Sequence, residues 1–247
     1  MKLDFHRQIV FLTGANGTIG RATAKLLGSL GASLFVTDIS IDGLESCLLE
    51  HGVDRSRIAV RVLDVARSKD AEAAVDACAA QFGAIDILIA NAGVFPRRAF
   101  RDITDEEWRH TFAINVDGVF YCCRAALPHM RAGGSIISLA SIAAHSGARD
   151  HAHYAATKGA LLSLMRSLAW ELAPDVRVNC ISPGPVGSPM VAELMQHRGK
   201  QILRQTPLNR LAAPDEIAKA IAFMSSSWAS HITGSAMHVN GGLYIAG

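Results

Sequence analysis

What most constrains this chain is a repeated switch between two kinds of segment. Short, continuously apolar runs end at a polar residue or a glycine and hand over to helix-length stretches. The first run, 9–12 (Ile-Val-Phe-Leu), reads as a strand buried on both faces. Runs at 33–37, 58–63 and 85–90 repeat the pattern and end at Asp38, Asp64-Val65 and Asn91-Ala92-Gly93. Helical periodicity separates them: Ala22, Ala24, Leu26, Leu27 and Leu30 after the first, and Ala71, Ala74, Val75 and Cys78 after the third. Alternation of this kind predicts an α/β fold with a parallel sheet, right-handed crossovers and helices on both faces. Further strands fall at 136–140, 176–181 and 236–239, about seven in all, with no linker between them. The whole of 1–247 therefore reads as one domain.

Boundary chemistry supports the helices. Ser68 is placed to cap 69–82, and Thr104 with Glu107 fits a capping box. Pro214-Asp215-Glu216 opens a helix to about residue 224, and a long one runs 152–172. Asn115 falls inside the helical stretch 112–130, where it lowers helix propensity and offers competing backbone bonds.

Composition excludes several classes. A formal charge of +2 over 247 residues gives no nucleic-acid surface. No apolar stretch reaches the ~18 residues of a membrane-helix candidate, and the N-terminus lacks a signal-peptide pattern. Five scattered cysteines without a CxxC pair fit a reducing compartment, so a cytoplasmic location is expected.

The first strand runs into Thr13-Gly14-Ala15-Asn16-Gly17-Thr18-Ile19-Gly20 and then a helix. Strand, glycine-rich turn and helix N-terminus together make a phosphate site, because the backbone can approach closely and free N–H groups face the anion. The alternative is a tight turn that binds nothing. Asp38 lies 18 positions after Gly20 at the end of the second strand. A carboxylate there accepts bonds from ribose hydroxyls and repels a 2′-phosphate; no Arg or Lys lies in 13–20 or 39–41. That favours NAD over NADP, unless Asp38 is only a helix cap or a solvated turn residue. Asp64 is placed either for the adenine edge or as a turn cap.

Tyr154 and Lys158 are four apart on the long helix and share a face. A free phenol titrates near ~10, and an adjacent ammonium favours its ionised form. The pair is a plausible proton-transfer unit, although such spacing also arises by chance.

Taken together, Thr13-Gly14-xxxx-Ile19-Gly20, Asn91-Ala92-Gly93, Asn115, Ser141, Tyr154-xxx-Lys158 and Pro183-Gly184 resemble the short-chain dehydrogenase/reductases, the single-domain branch built on a doubly wound Rossmann sheet. Ser141 precedes Tyr154 by 13 residues, as in that family. The resemblance runs from about Val10 to Gly242 and includes 3-oxoacyl-carrier-protein reductases and polyol or sugar dehydrogenases. It implies hydride transfer between a nicotinamide and a secondary alcohol or ketone, without a metal. Tyr154 would be the acid and base, and Lys158 would lower its pKa and bond the nicotinamide ribose. Ser141 would hold the substrate oxygen, and Asn115 would keep a helical irregularity and a water. Gly14, Asn16, Gly17, Thr18, Ile19, Gly20, Asp38, Asp64, Val65, Asn91, Ala92 and Gly93 would line the cofactor, with Val186 and Ser188 at its carboxamide. Thr18 departs from the pattern, since the family commonly has glycine there, and a β-branched residue resists positive φ. The resemblance also implies a homotetramer, which fits a helix 154–172 apolar on nearly every side.

Other signals leave the substrate open. Arg97, Arg98 and Arg101 suit a carboxylate, a phosphate or an acidic carrier protein, or form a solvated face. The polar loop 145–151 leans toward a polyol or sugar. His151 and His153 lack a third partner for zinc and read as loop or substrate-mouth residues. Residues 187–209, with weak periodicity, read as a mobile lid. A non-catalytic dinucleotide sensor is the remote alternative.

Overall fold

At the centre of the computed structural model, which describes residues 3–245, lies β1 (Ile9–Thr13). It pairs in parallel with β2 (Ser33–Asp38) on one side and β4 (Ile85–Ala90) on the other. β3 (Ile58–Val62), β5 (Met130–Leu139), β6 (Val176–Pro183) and β7 (Ala236–Val239) complete a seven-stranded sheet of order β3-β2-β1-β4-β5-β6-β7. Every pairing is parallel, as the alternation predicted. Chain direction across the sheet reverses between β1 and β4, which opens a crevice at the carboxyl ends of these strands. Met1, Lys2, Ala246 and Gly247, counted in the one expected domain, lie outside the described residues.

The period-two geometry of a strand divides the core. Val10 and Leu12 point to the face covered by α1 (Thr18–Ser29), α2 (Leu44–Glu50) and α9 (Pro214–Ser225). Ile9 and Phe11 point to the face covered by α3 (Ser68–Phe82), α5 (Gly118–Ala126) and α7 (Ala152–Glu171). Both faces being covered, the strands need no polar side, and β1 and β4 are buried throughout. Phe11 and Phe35 stack with ring centres 5.5 Å apart.

Four local expectations change. Ser68 is the first residue of α3, not its cap; its hydroxyl donates to Glu72 Oε1 (3.0 Å) and accepts from Arg124 Nη2 (2.9 Å). The stretch 112–130 is not one helix: α4 (Asp105–Phe112) passes through a π-helical segment, Ala113–Asp117, into α5, and β5 already begins at Met130. Residues 187–209, read as weakly periodic, include a helix, α8 (Ala192–Gln205), and a short α6 (Ala143–Ser146) occupies part of the polar loop. Finally, α7 is not apolar on every side. Its leucines form a wide inward stripe, while Ser163, Arg166, Ser167 and Trp170 face outward. Trp170, 88% exposed, is the large apolar residue left on that face. The Thr104–Glu107 capping box, by contrast, is present with both of its bonds at 3.1 Å.

Candidate active site

A cavity of about 1080 Å³ opens over the carboxyl ends of the central strands. Its lining includes Gly14, Asn16, Gly17, Thr18, Ile19, Asp38, Asp64, Val65, Asn91, Ala92 and Gly93 from the first half of the chain. From the second half come Ser141, Tyr154, Lys158, Pro183, Gly184, Val186 and Ser188. Of the catalytic and cofactor-binding residues that the resemblance implies, only Gly20 and Asn115 do not line it.

Gly20 works from behind the turn. A Cβ there would run into Gly14 O and stand 2.7 Å from Ala15 Cα, so the helix could not approach the turn. Gly14, at φ +63°, has room for no Cβ either, with Ala92 Cα 2.7 Å from where it would sit. Gly17 is different: its φ is −71° and a Cβ would meet only Gly14 O at 3.4 Å. Thr18 is the first helical residue of α1 and is not among the positive-φ residues, so its β-branch costs no strain. Its hydroxyl does not cap the helix; the N-cap is Gly17, without a side-chain bond.

The ends of β1 and β4 are tied together by Asn91 and by Thr13, a motif residue assigned no role from the sequence. Asn91 Nδ2 donates to Thr13 O (3.0 Å) and Gly14 O (2.8 Å), and Thr13 Oγ1 accepts from the backbone N–H groups of Asn91 and Ala92 (both 3.1 Å). Nothing local marks Thr13, because its partners lie 78 positions away. Asp38 Oδ2 accepts from Asn16 N (2.8 Å), and Oδ1 has only a long contact from Ser40 N (3.4 Å). Arg21, one position beyond the stretch read for cations, donates to Asn16 O and Asp42 O (both 3.2 Å) and does not line the cavity.

The residues fit a dinucleotide. Asn16 Oδ1 is buried without a hydrogen-bond partner, and a Cβ at Gly93 would stand 3.1 Å from Asn115 Oδ1 and 3.5 Å from Lys158 Nζ. An unfilled acceptor and space kept clear by glycine are what a close-lying ligand requires. Gly184 is similarly pressed, 2.9 Å from Asn240 Cα at its missing Cβ.

At the other end of the cavity stand Ser141, Tyr154 and Lys158. Lys158 is buried, its Nζ donates to Leu139 O (2.7 Å), and it lies 5.7 Å from the centre of the Tyr154 ring. Burial lowers the Lys158 pKa to about 8. Burial also raises the Tyr154 pKa, while the Ser141 hydroxyl pulls it down. The lowering expected from Lys158 is therefore not the leading effect, because desolvation weighs against both the phenolate and the ammonium. Phe95 meets Tyr154 edge-on (4.7 Å) and stacks on His151 (3.9 Å), whose Nδ1 is bonded to Pro96 O (2.8 Å). His151 thus holds the wall of the mouth. His153 faces inward, fully buried, with neither ring nitrogen partnered, and burial lowers its pKa. No cluster of His, Cys, Asp or Glu suited to a metal occurs among the described residues.

Asn115 is fully buried in the π-helical segment. Its Oδ1 accepts from Val94 N (2.8 Å); its Nδ2 donates to Val94 O (3.0 Å) and Thr157 Oγ1 (3.1 Å). The helical irregularity is the means by which one side chain reaches both the loop after β4 and the turn of α7 between Tyr154 and Lys158. The arginines of the following loop are occupied: Arg97 by Glu193 (2.8 Å) and Asp150 (3.4 Å), Arg98 by Glu107 (2.6 Å), and Arg101 by Asp102 (3.7 Å).

A doubly wound parallel sheet with a glycine-lined crevice and a Ser-Tyr-Lys end defines a nicotinamide-dependent oxidoreductase. The chain belongs to the short-chain dehydrogenase/reductase family. The family model described as enoyl-(acyl carrier protein) reductase matches residues 14–244. The 3-oxoacyl-(acyl-carrier-protein) reductase of Escherichia coli (strain K12) is 34% identical over 98% of this chain and 100% of its own length. Cis-4-hydroxycyclohexanecarboxylate dehydrogenase of Sinomonas cyclohexanicum is 35% identical over 96% of this chain and 97% of its own. A crystal structure from Brucella melitensis, described as a short-chain dehydrogenase/reductase SDR:glucose/ribitol dehydrogenase, superposes with a TM-score of 0.96 at 46% identity over 100% of both chains. Members of this family use NAD(P) and act on small molecules. No helix among the described residues is long and apolar enough to cross a membrane.

Proposed function

We propose that the protein interconverts a secondary alcohol and its ketone with NAD(H) in preference to NADP(H), the chain acting as one cofactor-binding and catalytic unit. The observation that carries this reading is that one cavity has Asp38 and the Gly14 turn in its lining together with Ser141, Tyr154 and Lys158. When bound, the nicotinamide supplies or accepts the hydride at its C4. The Tyr154 hydroxyl gives or takes the proton of the substrate oxygen, and Ser141 Oγ holds that oxygen in place. Lys158, kept beside the Tyr154 ring by Leu139 O, has protons left for the nicotinamide ribose. Asn115 is a positioning residue: it ties the loop after β4 to α7 through Val94 and Thr157, and the water ascribed to it belongs to this proposal.

Asp38 has one weakly used oxygen for a ribose hydroxyl and no cavity-lining cation beside it to accept a 2′-phosphate. Asp64 and Val65 serve the adenine, and Pro183, Gly184, Val186 and Ser188 the carboxamide. α8 roofs the substrate end as the lid. A homotetramer in the cytoplasm completes the proposal; exposed Trp170 supports an interface on α7.

Reduction of 3-oxoacyl thioesters is the second reading, supported by the full-length similarity to the Escherichia coli enzyme. The test is a panel of polyols, sugars, keto esters and acyl thioesters with NADH, NAD, NADPH and NADP. Tyr154→Phe should lose at least ~100-fold in turnover, as the loss of an acid–base group does, while NADH binding by fluorescence persists. Near wild-type turnover in that variant would refute the role of Tyr154.

A further inference from the structure

Two other arginines at the substrate mouth form no ion pair among the described residues. α8 turns Leu194, Arg198, Ile202 and Gln205 into the main cavity, at intervals of four, four and three. Arg198 therefore stands on the cavity-lining face between two apolar side chains, not on the solvent face of the helix. Among the described residues its guanidinium makes one long hydrogen bond, from Nε to Gln201 Oε1 at 3.4 Å, and no ion pair. Arg149, in the loop after α6, lines the same cavity and has neither hydrogen bond nor ion pair among the described residues. Both arginines also line an adjoining recess of about 180 Å³. The nearby carboxylates do not neutralise them: Asp150 and Glu193 are both engaged by Arg97. Arg198 is half-buried on an apolar wall, so its guanidinium gives up hydration and gains little until an anion arrives, while the exposed Arg149 adds charge at the rim.

We propose that Arg198, with Arg149, binds an anionic substituent of the substrate, a carboxylate or phosphate carried on an apolar body whose alcohol or ketone reaches Tyr154. The inference rests on the reading of this cavity as the substrate site. It shifts the substrate away from neutral polyols. A planar guanidinium fork suits two oxygens of either anion, and Leu194 and Ile202 on either side of Arg198 pack the apolar body.

The test does not need turnover. Cyclohexanecarboxylate, cyclohexyl phosphate and the neutral cyclohexanecarboxamide are titrated calorimetrically into protein saturated with the nicotinamide cofactor it binds. At least one anion should bind about tenfold or more tighter than the amide, the scale of a charge-assisted hydrogen bond, and the tighter one identifies the group. The Arg149→Gln/Arg198→Gln double variant should lose that preference and keep its cofactor affinity. Arg198→Lys, which keeps the charge without the fork, should retain part of the preference and guards against a double variant that fails to fold. Equal binding of all three compounds, or a preference unchanged in a folded double variant, would overturn the proposal. An intact anion preference with no turnover on any alcohol or ketone would instead refute the proposed reaction and leave the anion site standing.

Discussion

Lys158 is held in the fold at a cost, and its size can be worked from its surroundings. Burial brings its pKa from 10.5 to about 8. At about 1.4 kcal/mol for each tenfold change in proton affinity, keeping the ammonium inside costs about 3 kcal/mol at neutral pH. The bond to Leu139 O (2.7 Å) returns about 1.5 kcal/mol. Lys158→Met keeps most of the packing volume and removes both contributions, so the cofactor-free variant should be about 1–2 kcal/mol more stable at pH 7. For a chain of this length that raises Tm by about 3–6 °C. The pH dependence fixes the cause. Below pH 8 both folded and unfolded states hold the proton and the wild type bears the full cost. Between pH 8 and 10.5 the folded state releases the proton while the unfolded state keeps it, so the wild type gains stability with rising pH. The advantage of Met should therefore shrink through that window, vanish near its middle and reverse toward its upper end, where the ionisation cost is gone and the bond to Leu139 O remains. Thermal unfolding of both proteins at equal concentration, from pH 7 to 10.5, measures it. A lower Tm for the variant at pH 7, or an advantage that does not change with pH, would show that the buried ammonium is not the destabilising element.

Three other perturbations have definite directions. Asp38→Ala should weaken NADH binding by about tenfold while leaving NADPH unchanged or tighter, read by cofactor fluorescence; equal losses for both would remove Asp38 from cofactor choice. Gly20→Ala should abolish measurable cofactor binding, because its Cβ meets backbone at Gly14 and Ala15, whereas Gly17→Ala should bind within about twofold of wild type, since its φ is ordinary and the nearest atom is 3.4 Å away. Asn115→Ala leaves Val94 N, Val94 O and Thr157 Oγ1 without their partner and should cost about 2 kcal/mol, a fall in Tm of ~4–8 °C, together with turnover; a variant as stable as wild type would show that the π-helical segment does not depend on this side chain.

The core of the fold was readable because its determinants are local. A strand covered on both faces needs only a short apolar run, and 236–239 matched β7 residue for residue. The candidate site was readable where the chemistry proposed needs a particular residue at a particular separation along the chain, as with Tyr154 and Lys158, which lie one helical turn apart and line the same cavity. The weak periodicity read over 187–209 passed over α8, whose few apolar residues, Leu194, Met195, Ile202 and Leu203, keep helical spacing among many polar ones. Glycines that look alike in Gly14-xx-Gly17-xx-Gly20 differ once neighbours are present: two are pressed against backbone and one is not.

Taken alone, the sequence determined the order of the strands, the parallel sheet, and the glycine turn and Ser141, Tyr154 and Lys158 as the residues to look for around one cavity, since each depends on residue type and short spacing. Only the tertiary structure decided which charges are free. Arg97, one of the three arginines that drew notice in the sequence, is taken by Glu193, 96 positions away, while Arg149 and Arg198 line the cavity with no ion pair among the described residues. It also decided that Thr13 ties the end of β1 to that of β4 and that burial shifts Tyr154 and Lys158. Ion pairing and desolvation depend on what surrounds a group in space, and chain distance carries no record of either.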